Sequence, residues 1–467
     1  MRFKVKELDF FERDVRLRIP FRFGVVTLTE APQAFARARI ELENGRSATG
    51  AAAEMLAPKW FDKDPALSNE DNFRQLRASL RLASSSYLGA EANNAFGHAM
   101  DAYAPQIAMG ALQGLNSLVA SFGPALVDRA VLDALCRCLG VSFYQAIEKN
   151  LPGITAPGWQ ADLLAFDMEE YVYGLKPRKE IAARHTVGLL DPITASDARP
   201  PVNDGLPVTL EEVVARYGHR WFKLKVGGDV KADVERLAAI ASVLDRIPGD
   251  YLASLDGNEQ YDSAEEVLAL WKAMRADARL ERLVASIAFI EQPIKRQRAL
   301  ADDVSALAEE KPVIIDESDD SLEAFPLARR RGYSGVSSKT CKGLYKSILN
   351  SARCTMWNRE EGGARYFMTG EDLTTQAGLA VQQDLALVAV LGLTHVERNG
   401  HHYVNGMAGL PEAEQSAFLE AHPDLYEKSH GAVRLKIANG SLSIGSLAAP
   451  GFASGALPDF ANMRSME

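Results

Sequence analysis

The stretch FKLKVGG, residues 222–228, is where the fold of this chain can first be recognised. Lys223 and Lys225 alternate with apolar residues, so on a β-strand both side chains point to the same face. Taken alone, the motif is more typical of an edge strand with solvated lysines. The sequence on either side of it favours a different interpretation, in which both lysines point into the mouth of a barrel.

Similar stretches recur along the second half of the chain. Short apolar runs end in polar residues, and helical stretches such as 232–247 and 374–392 follow them. The runs are HTVGLL (185–190), WFKLKV (221–226), YLASLD (251–256), IAFIEQ (287–292), VIIDES (313–318), GVSSKT (335–340), RYFMTGED (365–372) and THVERN (394–399). Their spacing is typical of strand–helix units. Eight such units in series predict a (β/α)8 barrel of the TIM type, with a large open sheet as the alternative.

The rest of the chain lacks this repeat. Residues 1–180 begin with strands and continue with helices, which predicts an α+β domain that caps the barrel. We assign residues 181–403 to the barrel. Residues 404–467 are expected to pack back on the capping domain and complete it.

Composition excludes several functional classes. The chain has 467 residues and a formal net charge of -10, which argues against a nucleic-acid partner. No apolar run approaches the roughly 18 residues of a membrane span, and the start, MRFKVKELDF, resembles a strand more than a signal peptide. The four cysteines are scattered without a CxxC pair, which indicates reduced packing thiols in a cytoplasmic protein.

Polar residues collect where the predicted strands end, and in a barrel these ends share one rim. They are Lys223, Lys225, Asp256, Asn258, Glu291, Asp316, Glu317, Lys339, Glu371, Asp372, Glu397, Arg398 and His401. Asp256, Glu291 and Asp316 follow consecutive strands, and three converging carboxylates would raise each other's pKa unless a cation lay between them. Ligation by oxygen alone favours Mg²⁺, with Mn²⁺ as the alternative.

Lys225 and Lys339 are predicted to face each other across the barrel mouth. The neighbouring Lys223 ammonium and partial desolvation would lower the pKa of Lys225 and make it a usable base. Such a lysine could remove the proton next to a substrate carboxylate and give an enediolate, stabilised by metal and lysine charges. Two opposed lysines favour racemisation or epimerisation, whereas one suffices for a dehydratase or cycloisomerase.

These motifs resemble the enolase superfamily, in particular the muconate-lactonizing-enzyme-like branch of its mandelate racemase and muconate lactonizing enzyme family. That branch carries K-x-K on the second strand, Asp, Glu and Asp on the next three, and a lysine on the sixth. The matching motifs here are KLK (223–225), DGN (256–258), EQP (291–293), DES (316–318) and SSK (337–339).

The resemblance implies a magnesium-dependent isomerase or lyase acting on a small-molecule carboxylate. It implies that Lys225 and Lys339 are the acid and base, that three carboxylates bind the metal, and that neighbouring residues support them. The metal ligands would be Asp256, Glu291 and Asp316, and the supporting residues Lys223, Asn258 and Glu317. Residues 20–30 and 50–61 resemble the loops of the capping domain that read the substrate, and relatives suggest a homo-oligomer.

Two other interpretations remain open. One is a Schiff-base lyase with Lys225 or Lys339 as nucleophile, which leaves the carboxylates unexplained. The other is a barrel that binds small carboxylates without catalysis. An anionic tail of the substrate could meet one of four basic residues, Arg365, Arg398, His401 and His402. The eighth strand ends in HVERNGHH, where dipeptide epimerases often carry an acidic D-x-D, which argues against that activity.

Overall fold

The computed structural model describes residues 1–24, 26–197 and 202–466. The chain begins with an antiparallel sheet of long strands, in which β1 pairs with β2 and β2 with β3. These strands are β1 (Phe3–Phe23), β2 (Val26–Leu42) and β3 (Ser47–Met55). Val25, inside the segment 20–30 expected to read the substrate, lies outside the described residues.

Helices pack on this sheet, and their ends follow from local sequence. They are α1 (Asn69–Leu88), α2 (Ala95–Leu112), α3 (Ser117–Leu139), α4 (Phe143–Glu148) and α5 (Met168–Gly174). The Ser68 side chain caps the first turn of α1 by accepting from the Asp71 backbone N–H. Helix α3 ends before Gly140, because Gly140 adopts the left-handed conformation with φ of 67°.

Eight parallel strands then form the closed barrel that was predicted. They are β4 (Glu180–Val187), β5 (Trp221–Lys225), β6 (Leu252–Asp256), β7 (Ile287–Glu291), β8 (Val313–Ile315), β9 (Gly335–Ser338), β10 (Phe367–Gly370) and β11 (His395–Glu397). The barrel closes where β11 pairs with β4. Lys225 lies beside Asp256 in the register of β5 and β6, and Asp256 lies beside Glu291 in that of β6 and β7.

Helices follow the strands and cover the outside of the barrel. They are α6 (Leu210–Tyr217), α7 (Val230–Leu244), α8 (Ala264–Ala276), α9 (Glu281–Ser286), α10 (Arg296–Ala299), α11 (Ser305–Ala308), α12 (Ala324–Arg330), α13 (Leu344–Glu361), α14 (Leu379–Val390), α15 (Asn399–Tyr403) and α16 (Glu412–Ala421). Every residue of α14 is buried. One reason is that α14 packs against the N-terminal sheet, where Gln383 Nε2 donates to the Ala51 carbonyl at 2.8 Å.

The first barrel strand lies earlier than the sequence predicted. It spans Glu180–Val187 and not residues 185–190. It ends there because the chain turns at Gly188, whose backbone N–H donates to Asp191 Oδ2 at 2.7 Å. This displacement brings Arg184 into the barrel interior, where it is fully buried.

The last part of the chain contacts both the barrel and the N-terminal sheet. It contains β12 (Tyr426–Ser429), β13 (Ala432–Leu435), β14 (Ser441–Ser443) and β15 (Arg464–Ser465). β14 pairs with β4 of the barrel, and β15 pairs with β1 of the sheet. Asp133 of α3 holds the segment between them by accepting from the Phe452 backbone N–H at 2.7 Å.

Among the described residues, none of the helices combines the length and apolar character that crossing a membrane requires. All four cysteines are buried and unpaired, which agrees with their predicted packing role.

Candidate active site

The Lys223 ammonium lies at the centre of a buried charge cluster inside the barrel. Its Nζ is 2.9 Å from Asp256 Oδ2, 2.9 Å from Glu291 Oε1, 2.6 Å from Glu371 Oε2 and 3.1 Å from Glu397 Oε2. Burial lowers the pKa of Lys223, but these carboxylates outweigh it and raise that pKa well above the usual range. Lys223 therefore stays protonated. The predicted effect of its charge on Lys225 requires this.

Lys225 and Lys339 occupy opposite sides of this cluster. β5 and β9 are four strands apart in either direction around the closed barrel, so their side chains face each other. Lys225 Nζ lies 2.5 Å from Asp256 Oδ2, and Lys339 Nζ pairs with Asp316. Both lysines line the same cavity together with Asn258 and Asp316.

The ion pair with Asp316 bears on the predicted role of Lys339 as an acid or a base. Burial lowers the pKa of Lys339, but the Asp316 carboxylate outweighs it, and the net pKa is raised. Lys339 is thus protonated in this arrangement. It can act as an acid directly, and as a base only after the pair with Asp316 has been broken.

The three predicted metal ligands contact lysines. Burial raises the pKa of Asp256 and of Asp316, but lysine charges outweigh it and lower both. Glu291 differs, because burial and the nearby Glu371 carboxylate raise its pKa well above its usual range. Its Oε2 atom is buried without a hydrogen-bond partner.

This donor set fits a hard divalent cation. The candidate ligands are carboxylate oxygens, and one oxygen of Glu291 is buried without a hydrogen-bond partner. Within the part of the chain that the structure describes, no three His, Cys, Asp or Glu side chains form a ready metal cluster. Lys223 bridges Asp256 and Glu291 in this arrangement, so magnesium binding belongs with the proposed function.

Asn258 and Glu317 lie beside the candidate ligands and contact each other. Asn258 Nδ2 donates to Glu317 Oε1 at 3.1 Å, and the Asn258 backbone N–H donates to Asp256 Oδ1 at 2.9 Å. Glu317 also pairs with Lys63 from the segment after β3, at 3.2 Å. Both residues thus reach the site as expected, but Lys63 is a partner that the sequence did not indicate.

Other functional groups were missed for identifiable reasons. Arg184 pairs with Glu371, but the misplaced first strand excluded Arg184 from consideration. Thr186 donates to Glu397 Oε1 at 2.5 Å. Thr186 lies at the start of the predicted run 185–190, so a search for polar residues at the ends of strands passed over it. Arg184 precedes that run altogether.

The four basic residues considered for an anionic tail do not line the cavity. Arg365 precedes β10, at the opposite end of the barrel, and pairs with Glu361. The Arg398 guanidinium is buried against Asp384. His402 is buried and His401 is half-buried behind the rim, and desolvation lowers the pKa of both. None of the four therefore contacts the cavity, although Asn399, which also follows the eighth strand, does.

The apolar wall of the cavity comes from the N-terminal domain. Its members all precede α1 and lie opposite the charged residues. They are Phe21, Phe23, Leu28, Ala57 and Trp60. The first three flank the tip of the β1–β2 hairpin, and the last two follow β3. The cavity is thus polar on its barrel side and apolar on the side of the capping domain.

Fold and site together define a (β/α)8 barrel with a capping domain and an interior lysine–carboxylate cluster. The family model described as enolase C-terminal domain-like matches residues 206–343. This match lies within the barrel and agrees with the resemblance of that part of the chain to the enolase superfamily.

One curated relative and several solved structures are also similar to this chain. N-succinyl-L-Arg/Lys racemase of Bacillus cereus is 24% identical over 221 residues, which are 44% of this chain and 52% of the relative. The chain therefore matches about half the length of that curated relative. A dipeptide epimerase from Enterococcus faecalis, complexed with Mg and L-Leu-L-Tyr, has a TM-score of 0.60 at 16% identity, over 96% of this chain and 99% of its own.

A muconate lactonizing enzyme from Pseudomonas fluorescens, complexed with muconolactone, has a TM-score of 0.61 at 17% identity. The alignment covers 98% of this chain and 97% of that one. At these identities the likeness establishes the shared fold, including the N-terminal domain.

Proposed function

We propose that the protein is an isomerase that abstracts the proton alpha to a substrate carboxylate, acting as a racemase or epimerase. The observation that carries this proposal is the placement of Lys225 and Lys339 on opposite strands, facing one cavity. One lysine would take the proton from one face of the alpha carbon. The other would deliver a proton to the opposite face, which inverts the centre.

The protonated lysines also stabilise the product of proton removal. Loss of the alpha proton leaves negative charge on the substrate carboxylate, in a buried site where a nearby ammonium acts strongly. Lys223 stays positive and is held by four carboxylates, so its charge does not depend on the substrate. Lys339, protonated beside Asp316, is suited to return the proton.

Asp256, Glu291 and Asp316 would hold Mg²⁺, or Mn²⁺ in its place. When bound, the cation supplies positive charge beside the substrate carboxylate. For these carboxylates to bind it, Lys225 and Lys339 must release Asp256 and Asp316. That release would free both lysines for proton transfer, so binding of the cation and activation of the lysines would be coupled.

The substrate would be a small carboxylate with an apolar part. Phe21, Phe23, Leu28 and Trp60 line the cavity on the side of the capping domain, where an apolar group would be desolvated. The relative named for N-succinyl-Arg/Lys racemisation makes N-acylated amino acids a reasonable first panel. The apolar wall favours members of that panel with apolar side chains.

Proton exchange in D2O tests the proposal directly. The protein is incubated with Mg²⁺ and a panel of N-succinyl amino acids of both configurations, and alpha-deuterium is followed by mass spectrometry. We expect deuterium with inversion in the wild type, and none after addition of EDTA. Lys225→Ala and Lys339→Ala should each abolish inversion, and each should keep exchange from one enantiomer only.

Exchange without inversion would contradict the racemase proposal and favour a one-sided reaction such as cycloisomerisation. Activity that survives EDTA and is trapped by borohydride would instead support a Schiff-base lyase. Lys428→Ala is a matched control, because Lys428 lies in an exposed ion pair with Glu412 outside the cavity.

A further inference from the structure

One arginine fastens the segment after β3 to the barrel. Arg296, at the start of α10, donates from Nη2 to the Trp60 carbonyl at 2.8 Å. It donates from Nη1 to the Phe61 carbonyl at 2.9 Å. Two N–H groups of one rigid guanidinium thus hold two successive peptide groups of the capping domain.

Glu259 orients that guanidinium. Its Oε1 accepts from Arg296 Nε at 2.8 Å, and its Oε2 accepts from Nη2 at 2.9 Å, which is the bidentate geometry of a strong pair. Glu259 adopts a φ of 68°, in the left-handed region that residues other than glycine rarely occupy. The loop after β6 therefore holds an unfavourable backbone conformation that aims this carboxylate at Arg296.

Lys63 completes the connection. Its Nζ donates to the Asn258 carbonyl at 2.8 Å and pairs with both Glu259 and Glu317. Burial raises the pKa of Glu259, but Lys63 and Arg296 outweigh it and lower that pKa to about 2. The carboxylate is therefore ionised at neutral pH, and two positive charges meet two negative ones.

The connection determines where the Trp60 ring lies. Lys339 Nζ is 4.6 Å from the centroid of that ring, within the range of a cation–π contact. Trp60 is only 4% exposed and lines the cavity. Because Arg296 bonds to the carbonyl of Trp60 itself, movement of the guanidinium would move the indole relative to Lys339.

We propose that Glu259 and Arg296 are positioning residues that hold the Trp60 indole over the Lys339 ammonium and close the cavity on that side. Neither residue lines the cavity, so they act through Trp60. The inference rests on the proposed function in one respect, the role of Lys339 in proton transfer. Trp60 excludes water from that lysine and bounds the space for the substrate.

The position of Trp60 can be measured without a substrate. The protein has five tryptophans, so labelling with 5-fluorotryptophan gives up to five ¹⁹F resonances. The Trp60 line is identified by its absence in Trp60→Phe. The shift of each line between H2O and D2O reports the solvent exposure of that indole. Trp159, which is 53% exposed, provides the reference for an open position.

In the wild type we expect almost no solvent shift for Trp60. In Glu259→Gln and in Arg296→Met, the Trp60 line should move at least halfway toward the solvent shift of Trp159. The lines of the buried Trp271 and Trp357 should stay in place, which shows that the barrel is folded. In Arg296→Lys, the Trp60 line should lie between its positions in the wild type and in Arg296→Met. The matched control is Lys295→Met, which removes the neighbouring exposed pair with Asp262.

An unchanged Trp60 line in both variants, with the barrel lines in place, would overturn the inference. An equal shift in Lys295→Met would also overturn it. Once a substrate is known, kcat/KM should fall roughly tenfold in both variants. If the wild type shows no turnover, the proposed function fails. The fluorine spectra still decide whether Glu259 and Arg296 hold Trp60 in place.

Discussion

Replacement of Lys223 by methionine would remove the charge at the centre of the cluster while keeping most of the side-chain volume. Asp256 would retain Lys225 at 2.5 Å, and Glu371 would retain Arg184. Glu291 would lose its only side-chain hydrogen-bond donor among the described residues. The variant therefore leaves two buried carboxylates, Glu291 and Glu397, without their ion-pair partner, and within the described part of the chain only Glu397 keeps a side-chain donor, from Thr186.

The expected loss is about 3–5 kcal/mol in the free energy of unfolding, the usual result of breaking a buried ion pair from one side. The loss should shrink as the pH falls. Burial and Glu371 already raise the pKa of Glu291, and without Lys223 it rises further. A raised carboxyl pKa in the folded state favours the native protein at low pH, and that advantage disappears as the pH rises through it.

Urea unfolding in EDTA, at pH 5 and pH 8, measures both effects. Saturating Mg²⁺ should then stabilise the variant more than the wild type, because a cation bound by Glu291 replaces the missing charge. Lys428→Met, in an exposed pair, should cost less than about 1 kcal/mol. A loss below about 1 kcal/mol for Lys223→Met at pH 8 would refute the reasoning.

Three further variants test other parts of the structure. Asp133→Ala leaves the Phe452 backbone N–H without its acceptor and should cost about 3 kcal/mol, with faster proteolysis of the C-terminal segment. Burial raises the pKa of Asp128 to about 7, so its folded form favours the proton. The free energy of unfolding of Asp128→Asn, relative to that of the wild type, should therefore rise by about 4 kcal/mol between pH 4 and pH 8.5. Lys342 Nζ lies 3.3 Å from Asp316 Oδ1, and Lys342→Met should weaken Mg²⁺ binding roughly tenfold in calorimetry.

A specific result would contradict each of these predictions. A protease pattern like that of the wild type would show that Asp133 does not hold the C-terminal segment. A stability difference for Asp128→Asn that is constant with pH would show that this carboxyl does not titrate near neutrality. Unchanged Mg²⁺ affinity in Lys342→Met would show that Lys342 does not hold Asp316 in place.

Much of the barrel could be predicted because its signals are local. Each strand is a short apolar run, and each run from 221 onward ends in polar residues within a few positions of the observed strand end. The first strand was misplaced because its first half, 180–184, carries the charged Glu180 and Arg184 and does not form an apolar run. A rule that predicts strands from hydrophobic runs misses a strand whose interior-facing residues are polar.

The sequence by itself determined the number of strand–helix units and the residues that end the strands, since both depend on neighbouring residues. It also brought Lys225, Asp256 and Glu291 together, because adjacent parallel strands align their ends. Only the tertiary structure decided which charges pair. Lys339 meets Asp316, and Arg296 meets the Trp60 carbonyl of another domain. Such pairing depends on distances between segments far apart in the chain, which no local pattern records.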